Sequence, residues 1–130
     1  MDSQENSEKL YNLSNLEEIS GGSEDFIRQM IILFLDQVST SISGLEKAVA
    51  ENDVTLIKNV AHQLKPSVDN FRIDDLSRWI REIEDLAENN PSSPTLHEKI
   101  SQSNTLLRRV MVQLENHFAW PVSVYTSWIF

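Results

Sequence analysis

The chain contains no cysteine, which removes disulfides, thiolate metal ligands and a cysteine nucleophile and fits a reducing compartment. Glycine occurs three times and proline four times in 130 residues, too few turn formers for an all-β protein of this length. No apolar run approaches the ~20 residues that span a bilayer. The polar, acidic start, MDSQENSEKLYNL, is unlike a secretory signal. A soluble, cytoplasmic protein with no membrane partner is expected. Positive charge is also scarce: 11 Lys and Arg against 20 Asp and Glu leave a net charge of −9. Such a field repels nucleic-acid phosphates, and Arg108-Arg109 is the densest basic pair. A protein partner is expected, and no nucleic acid.

What remains is helical patterning in a chain of single-domain length. Leu13, Leu16 and Ile19 mark a short amphipathic helix, with Ser14 and Glu17 in the positions of a capping box and Gly21-Gly22 at its end. Ser23 caps a second helix through about Ser43, where Gly44 predicts an interruption before a short helical stretch, Leu45–Ala50. Asn52-Asp53 opens a third helix, whose apolar residues recur at threes and fours from Val54 to Phe71. After a break around Asn70–Asp75, with Asp74 or Asp75 as cap, a fourth helix runs to Asn89-Asn90-Pro91. Ser93-Pro94 opens a fifth, with Thr95 and Glu98 as a second capping-box pair and a stripe from Leu96 to Phe118. The fold class is all-α: an antiparallel four-helix bundle with a short N-terminal covering helix. Residues 1–10 are expected to be a flexible N-terminus, 11–118 the bundle, and 119–130 an apolar C-terminal tail that packs on the bundle, binds a partner or has no part in function.

Of the three histidines, His97 and His117 read as packing or capping residues. At about 100° per residue, the apolar stripe of the third helix centres between Val60 and Ala61, and His62 lies roughly 140° from that centre. It therefore faces solvent, among Lys58, Asn59, Lys65, Pro66 and Asp69. An exposed imidazole one turn from the Lys65 ammonium suits a dianionic phosphoryl group, whose charge the cation offsets. Pro66 lacks the amide that would bond the carbonyl of His62 and bends the helix at that point. If the break near Ile73 makes a hairpin, Glu84 lies as far past it as His62 lies before it. The Glu84 carboxylate would then accept a hydrogen bond from Nδ1–H, leaving Nε2 free as nucleophile. Arg81, one turn earlier, would add positive charge. Bundles that hold two metals through Glu-x-x-His pairs are excluded, since no such pairs occur and no metal ligand set is found.

These residues resemble the histidine-containing phosphotransfer (HPt) domain family of two-component phosphorelays. That family's pattern, Ala-His-x-Leu-Lys-Gly followed by small residues and a further glycine, stands here as Ala61-His62-Gln63-Leu64-Lys65-Pro66-Ser67. The resemblance covers about residues 11–118, including Leu16–Gly22, Phe34-Leu35 and the Asn52-Asp53 turn. It implies that His62 is phosphorylated, that Lys65 stabilises the phosphoryl group, and that Glu84 falls where some relatives bond the second ring nitrogen. It implies response-regulator receiver domains and a hybrid sensor histidine kinase as partners, and a monomeric carrier with no kinase activity of its own. No cofactor is expected on this chain, with Mg²⁺ on the receiver. Lys58, Pro66 and Asp69 are candidate docking residues, and Ile32 and Leu33 are either part of the same docking patch or covered by the N-terminal helix. Pro66 and Arg72 stand where the family usually has glycines that leave room for the receiver. The alternative is a helical module that binds a receiver or kinase without carrying phosphate.

Overall fold

A computed structural model describes residues 8–117. Residues 1–7, Phe118 and the apolar tail 119–130 lie outside the described residues. Among the described residues five helices follow one another: α1 (Ser14–Ser20), α2 (Glu24–Glu51), α3 (Val54–Asn70), α4 (Asp74–Asn89) and α5 (Pro94–His117). Among the described residues there is no strand. The short links between α2, α3, α4 and α5 reverse the chain each time. Each of these helices packs on its sequence neighbour and α5 packs back on α2, closing a four-helix bundle. The short α1 leans on α2.

The interior is aliphatic. Val38 and Leu45 of α2, Ala61, Leu64 and Val68 of α3, Ile80 and Ile83 of α4, and Leu107, Val110 and Leu114 of α5 have essentially no exposed surface. At one end Phe34 stacks on Phe71, with ring centroids 4.2 Å apart and planes 15° from parallel. That contact ties the middle of α2 to the α3–α4 turn.

The expected break at Gly44 does not occur; α2 runs unbroken to Glu51. A helical glycine costs only about 1 kcal/mol relative to alanine, and Ile42, Leu45 and Ala48 bury around it. A Cβ at Gly44 would stand 3.4 Å from Val60 Cγ2, so the glycine marks where α2 and α3 approach closely. Ser23 and Asp53 cap α2 and α3, accepting from Phe26 N at 3.2 Å and Leu56 N at 3.1 Å. Two other expected caps are displaced. Ser14 lies inside α1, its amide donating to Asn12 Oδ1 at 2.8 Å. The hydrophobic Ile73, not Asp74 or Asp75, holds the cap position of α4. Burial of Ile73 outweighs the missing cap bond, and both aspartates sit in the first turn, where the helix dipole favours them. At α5, Ser93 Oγ accepts from Thr95 N at 3.2 Å, so the cap is Ser93 and not Thr95.

Three helices end alike. After α1, α2 and α3 the chain turns through left-handed residues: Gly21 (φ 67°) followed by Gly22 (φ 87°), Asn52 (φ 53°) and Arg72 (φ 53°). In each turn the following amide reaches back to the last helical turn: Gly22 N to Glu17 O at 2.9 Å, Asp53 N to Ala48 O at 2.8 Å, Ile73 N to Val68 O at 3.1 Å. This is the Schellman arrangement. Within the stretch read as a flexible terminus, residues 8–10 are held. The Gln113 side chain accepts from Leu10 N at 2.8 Å and donates to Glu8 O at 2.6 Å. Asn12 N donates to Phe71 O at 2.9 Å, and the buried Tyr11 places its hydroxyl 3.1 Å from His117 Nδ1.

Candidate functional site

Helix α3 directs Ile57, Ala61, Leu64 and Val68 inward, and the opposite face is what it offers to solvent. His62 stands there with 68% of its side chain exposed. Helix α4, antiparallel to α3 across the Phe71–Ile73 turn, brings Glu84 beside it. The Glu84 side chain is 21% exposed, and its carboxylate is shared. Oε2 lies 2.9 Å from His62 Nδ1, and Oε1 accepts from Lys65 Nζ at 2.7 Å.

The Lys65 hydrogen bond holds the Glu84 carboxyl below its ordinary value; partial burial opposes this, and the His62 contact adds to it. Glu84 is therefore ionised near neutrality and can only accept. The proton between it and a neutral ring must then sit on Nδ1, which leaves the lone pair on Nε2. Lys65, 27% exposed, places its ammonium on the same carboxylate. His62, Lys65 and Glu84 thus form one cluster built from two helices.

The remaining residues singled out from the sequence are placed differently. Arg81 clasps Asp69 with both terminal nitrogens, Nη2 to Oδ2 at 2.7 Å and Nη1 to Oδ1 at 3.1 Å; Nη1 also donates to Ser77 O. Ser77 Oγ donates to Asp69 Oδ1 at 2.7 Å. Arg81 is the main reason the Asp69 carboxyl lies below its ordinary value. The two residues expected near the phosphoryl site and on the docking face are thus each other's partners. Lys58 is paired with Glu88. Pro66 sits exposed inside α3. Ile32 is half-buried against the core, whereas Leu33 is 63% exposed.

One residue that sequence reasoning passed over belongs to the same region. Gln37 of α2 donates from Nε2 to the carbonyl of Gln63 at 3.2 Å and accepts from Ser67 Oγ at 2.6 Å. Spacing and residue type carry no signal for it: Gln37 lies on the edge of the buried stripe of α2, and one of its partners is a backbone carbonyl.

Among the described residues no group of three or more His, Cys, Asp and Glu is arranged to hold a metal, and no helix is long and apolar enough to cross a membrane.

A family model, the Hpt domain, matches residues 29–117 and so spans the whole His62, Lys65 and Glu84 cluster. Among solved structures, the chain is similar to histidine-containing phosphotransfer protein B (HptB) from Pseudomonas aeruginosa. The TM-score is 0.74 at 17% identity, over 85% of this chain and 96% of that one. At that identity the likeness speaks for the fold alone. No curated protein matches by sequence.

Proposed function

The chain belongs to the Hpt domain family, and from that premise we propose that His62 is its phosphoryl carrier, taking the group from the aspartyl phosphate of one receiver and passing it to another. Phosphotransfer within a phosphorelay is the family's role, with response-regulator receivers as partners. The finer assignment rests on one observation: an imidazole that is largely in solvent while its Nδ1 is held by a carboxylate.

The chemistry follows from that geometry. Nε2 attacks phosphorus, the P–O bond to the receiver aspartate breaks, and the aspartate leaves as a carboxylate. The ring becomes cationic as the Nε2 lone pair forms the N–P bond, phosphorus being the third substituent on that nitrogen, and Nδ1 keeps its proton. Glu84 accepts that proton's hydrogen bond throughout and stabilises the positive ring. Lys65, one turn on, offers hydrogens to the phosphoryl oxygens. Return transfer is the same path reversed. In-line positioning and charge stabilisation suffice for such a step, consistent with a site that has no nucleotide-binding loop. The family resemblance puts Mg²⁺ on the receiver, and a hybrid sensor histidine kinase upstream; this chain would act as a monomeric carrier in the cytoplasm.

Incubation with a receiver carrying labelled aspartyl phosphate tests the assignment. The expected result is acid-labile, base-stable label on the wild-type chain and none on His62→Gln. Receiver binding by both proteins without label on either would overturn it in favour of a binding module.

A further inference from the structure

Pro66 creates a structural problem in α3 that one side chain of α2 answers. Proline has no amide hydrogen for the carbonyl of His62, and its ring crowds that carbonyl. Yet α3 continues past it to Asn70. The anchors that Gln37 provides lie on either side of this proline. Nε2 binds the Gln63 carbonyl at 3.2 Å, and Oε1 receives Ser67 Oγ at 2.6 Å. The turn so bracketed begins at the residue after His62 and contains Lys65. Gln37 is itself well rooted: its neighbour Val38 is fully buried, and Phe34, one turn earlier, stacks on Phe71.

We propose that Gln37, acting with Ser67, is a positioning residue for phosphotransfer: it holds the proline-bent turn of α3 so that His62 Nε2 and Lys65 Nζ face the incoming phosphoryl group in a fixed relation. The inference rests on His62 being the carrier. Gln37 does not touch the phosphoryl group; it sets where the two groups that do are held. A glutamine suits this because one amide both donates and accepts, satisfying a carbonyl on one side of the proline and a hydroxyl on the other.

Single-turnover transfer from a phosphorylated receiver, measured across receiver concentrations, tests this with Gln37→Leu, Ser67→Ala and Ser67→Thr. The expected result for Gln37→Leu and Ser67→Ala is a maximal rate about 10- to 100-fold lower, the scale of a misplaced reacting group. Half-saturation should be unchanged, and Ser67→Thr, which keeps the hydroxyl, should restore the rate. Thermal melts establish that each variant is folded at the assay temperature; should Gln37→Leu not fold, Ser67→Ala carries the test. Wild-type rates in the folded variants would overturn the inference. So would a raised half-saturation with an unchanged maximal rate, which would make Gln37 a receiver contact. An unlabelled wild-type chain would instead sink the carrier assignment for His62, so the two failures are distinguishable.

Discussion

Replacing Arg72 with glycine should make this protein more stable, although it deletes a side chain and adds nothing. The residue ends α3 with φ at 53°, where an L-residue's Cβ crowds the following carbonyl at a cost of about 1–2 kcal/mol. Glycine escapes that cost but releases more entropy in the unfolded chain, roughly 0.5–1 kcal/mol. The central values leave a net gain of about 0.75 kcal/mol. The motif will survive the exchange, because it is built from backbone: Arg72 N to Asp69 O at 3.0 Å and Ile73 N to Val68 O at 3.1 Å. The burial of Val68 and Ile73 across it is also untouched.

For a domain of this size such a gain raises the melting temperature by about 2–6 °C. Denaturant unfolding should show a higher midpoint with an unchanged slope, since the surface exposed on unfolding is the same. Asn52 is the internal control. It occupies the same conformation after α2, and asparagine tolerates it better than arginine does, so Asn52→Gly should gain less. An unchanged or lower midpoint for Arg72→Gly would refute the reasoning, showing that the arginine side chain contributes more than its backbone strain removes.

Other perturbations separate the fold from the site. Phe71→Ala removes a fully buried ring and its stack on Phe34, and should cost about 3–5 kcal/mol in denaturant unfolding. Glu84→Gln should leave the melting temperature within a few degrees but slow label transfer to His62 about 10- to 100-fold, since an amide cannot neutralise the cationic ring. Acid should weaken the α3–α4 contact. Glu84 and Asp69 are held below their ordinary values, chiefly by Lys65 and Arg81, so their contributions are complete above those values and fade as pH falls through the folded ones. A stability profile should therefore begin to drop near pH 4.5, the ordinary value for Glu84, and Glu84→Gln with Asp69→Asn should flatten part of that drop.

What the sequence revealed depended on periodicity and chain reversal. The exposure of His62 was legible because the stripe from Val54 to Phe71 fixes the inward direction of α3 at every position. The pairing of Glu84 with His62 was legible because a tight turn at Phe71–Ile73 leaves a hairpin of two helices little choice of register. The pairing of Arg81 with Asp69 was not legible, for a reason of side-chain chemistry. A guanidinium one turn from an imidazole also had a carboxylate within reach, and the two-point clasp on Asp69 is the stronger geometry. Gln37 was invisible for a different reason. Its partners lie on another helix and one of them is a backbone carbonyl, so neither spacing nor residue type advertises the contact.

The sharing of one carboxylate by His62 and Lys65 makes their roles interdependent. Near neutrality the ionised Glu84 carboxylate sits against the Lys65 ammonium, so these two charges largely offset each other. The nearest guanidinium, Arg81, is already committed to Asp69. A dianionic phosphoryl group would therefore meet a largely neutralised cluster; Lys65 has hydrogens to spare, but one is already on Glu84. Attraction of the group must then come mainly from the partner that delivers it. That division suits a reversible carrier. A site that bound phosphate strongly by itself would retain it, whereas a ring stabilised through Nδ1, with one lysine at the phosphoryl oxygens, would release it as readily as it accepts it.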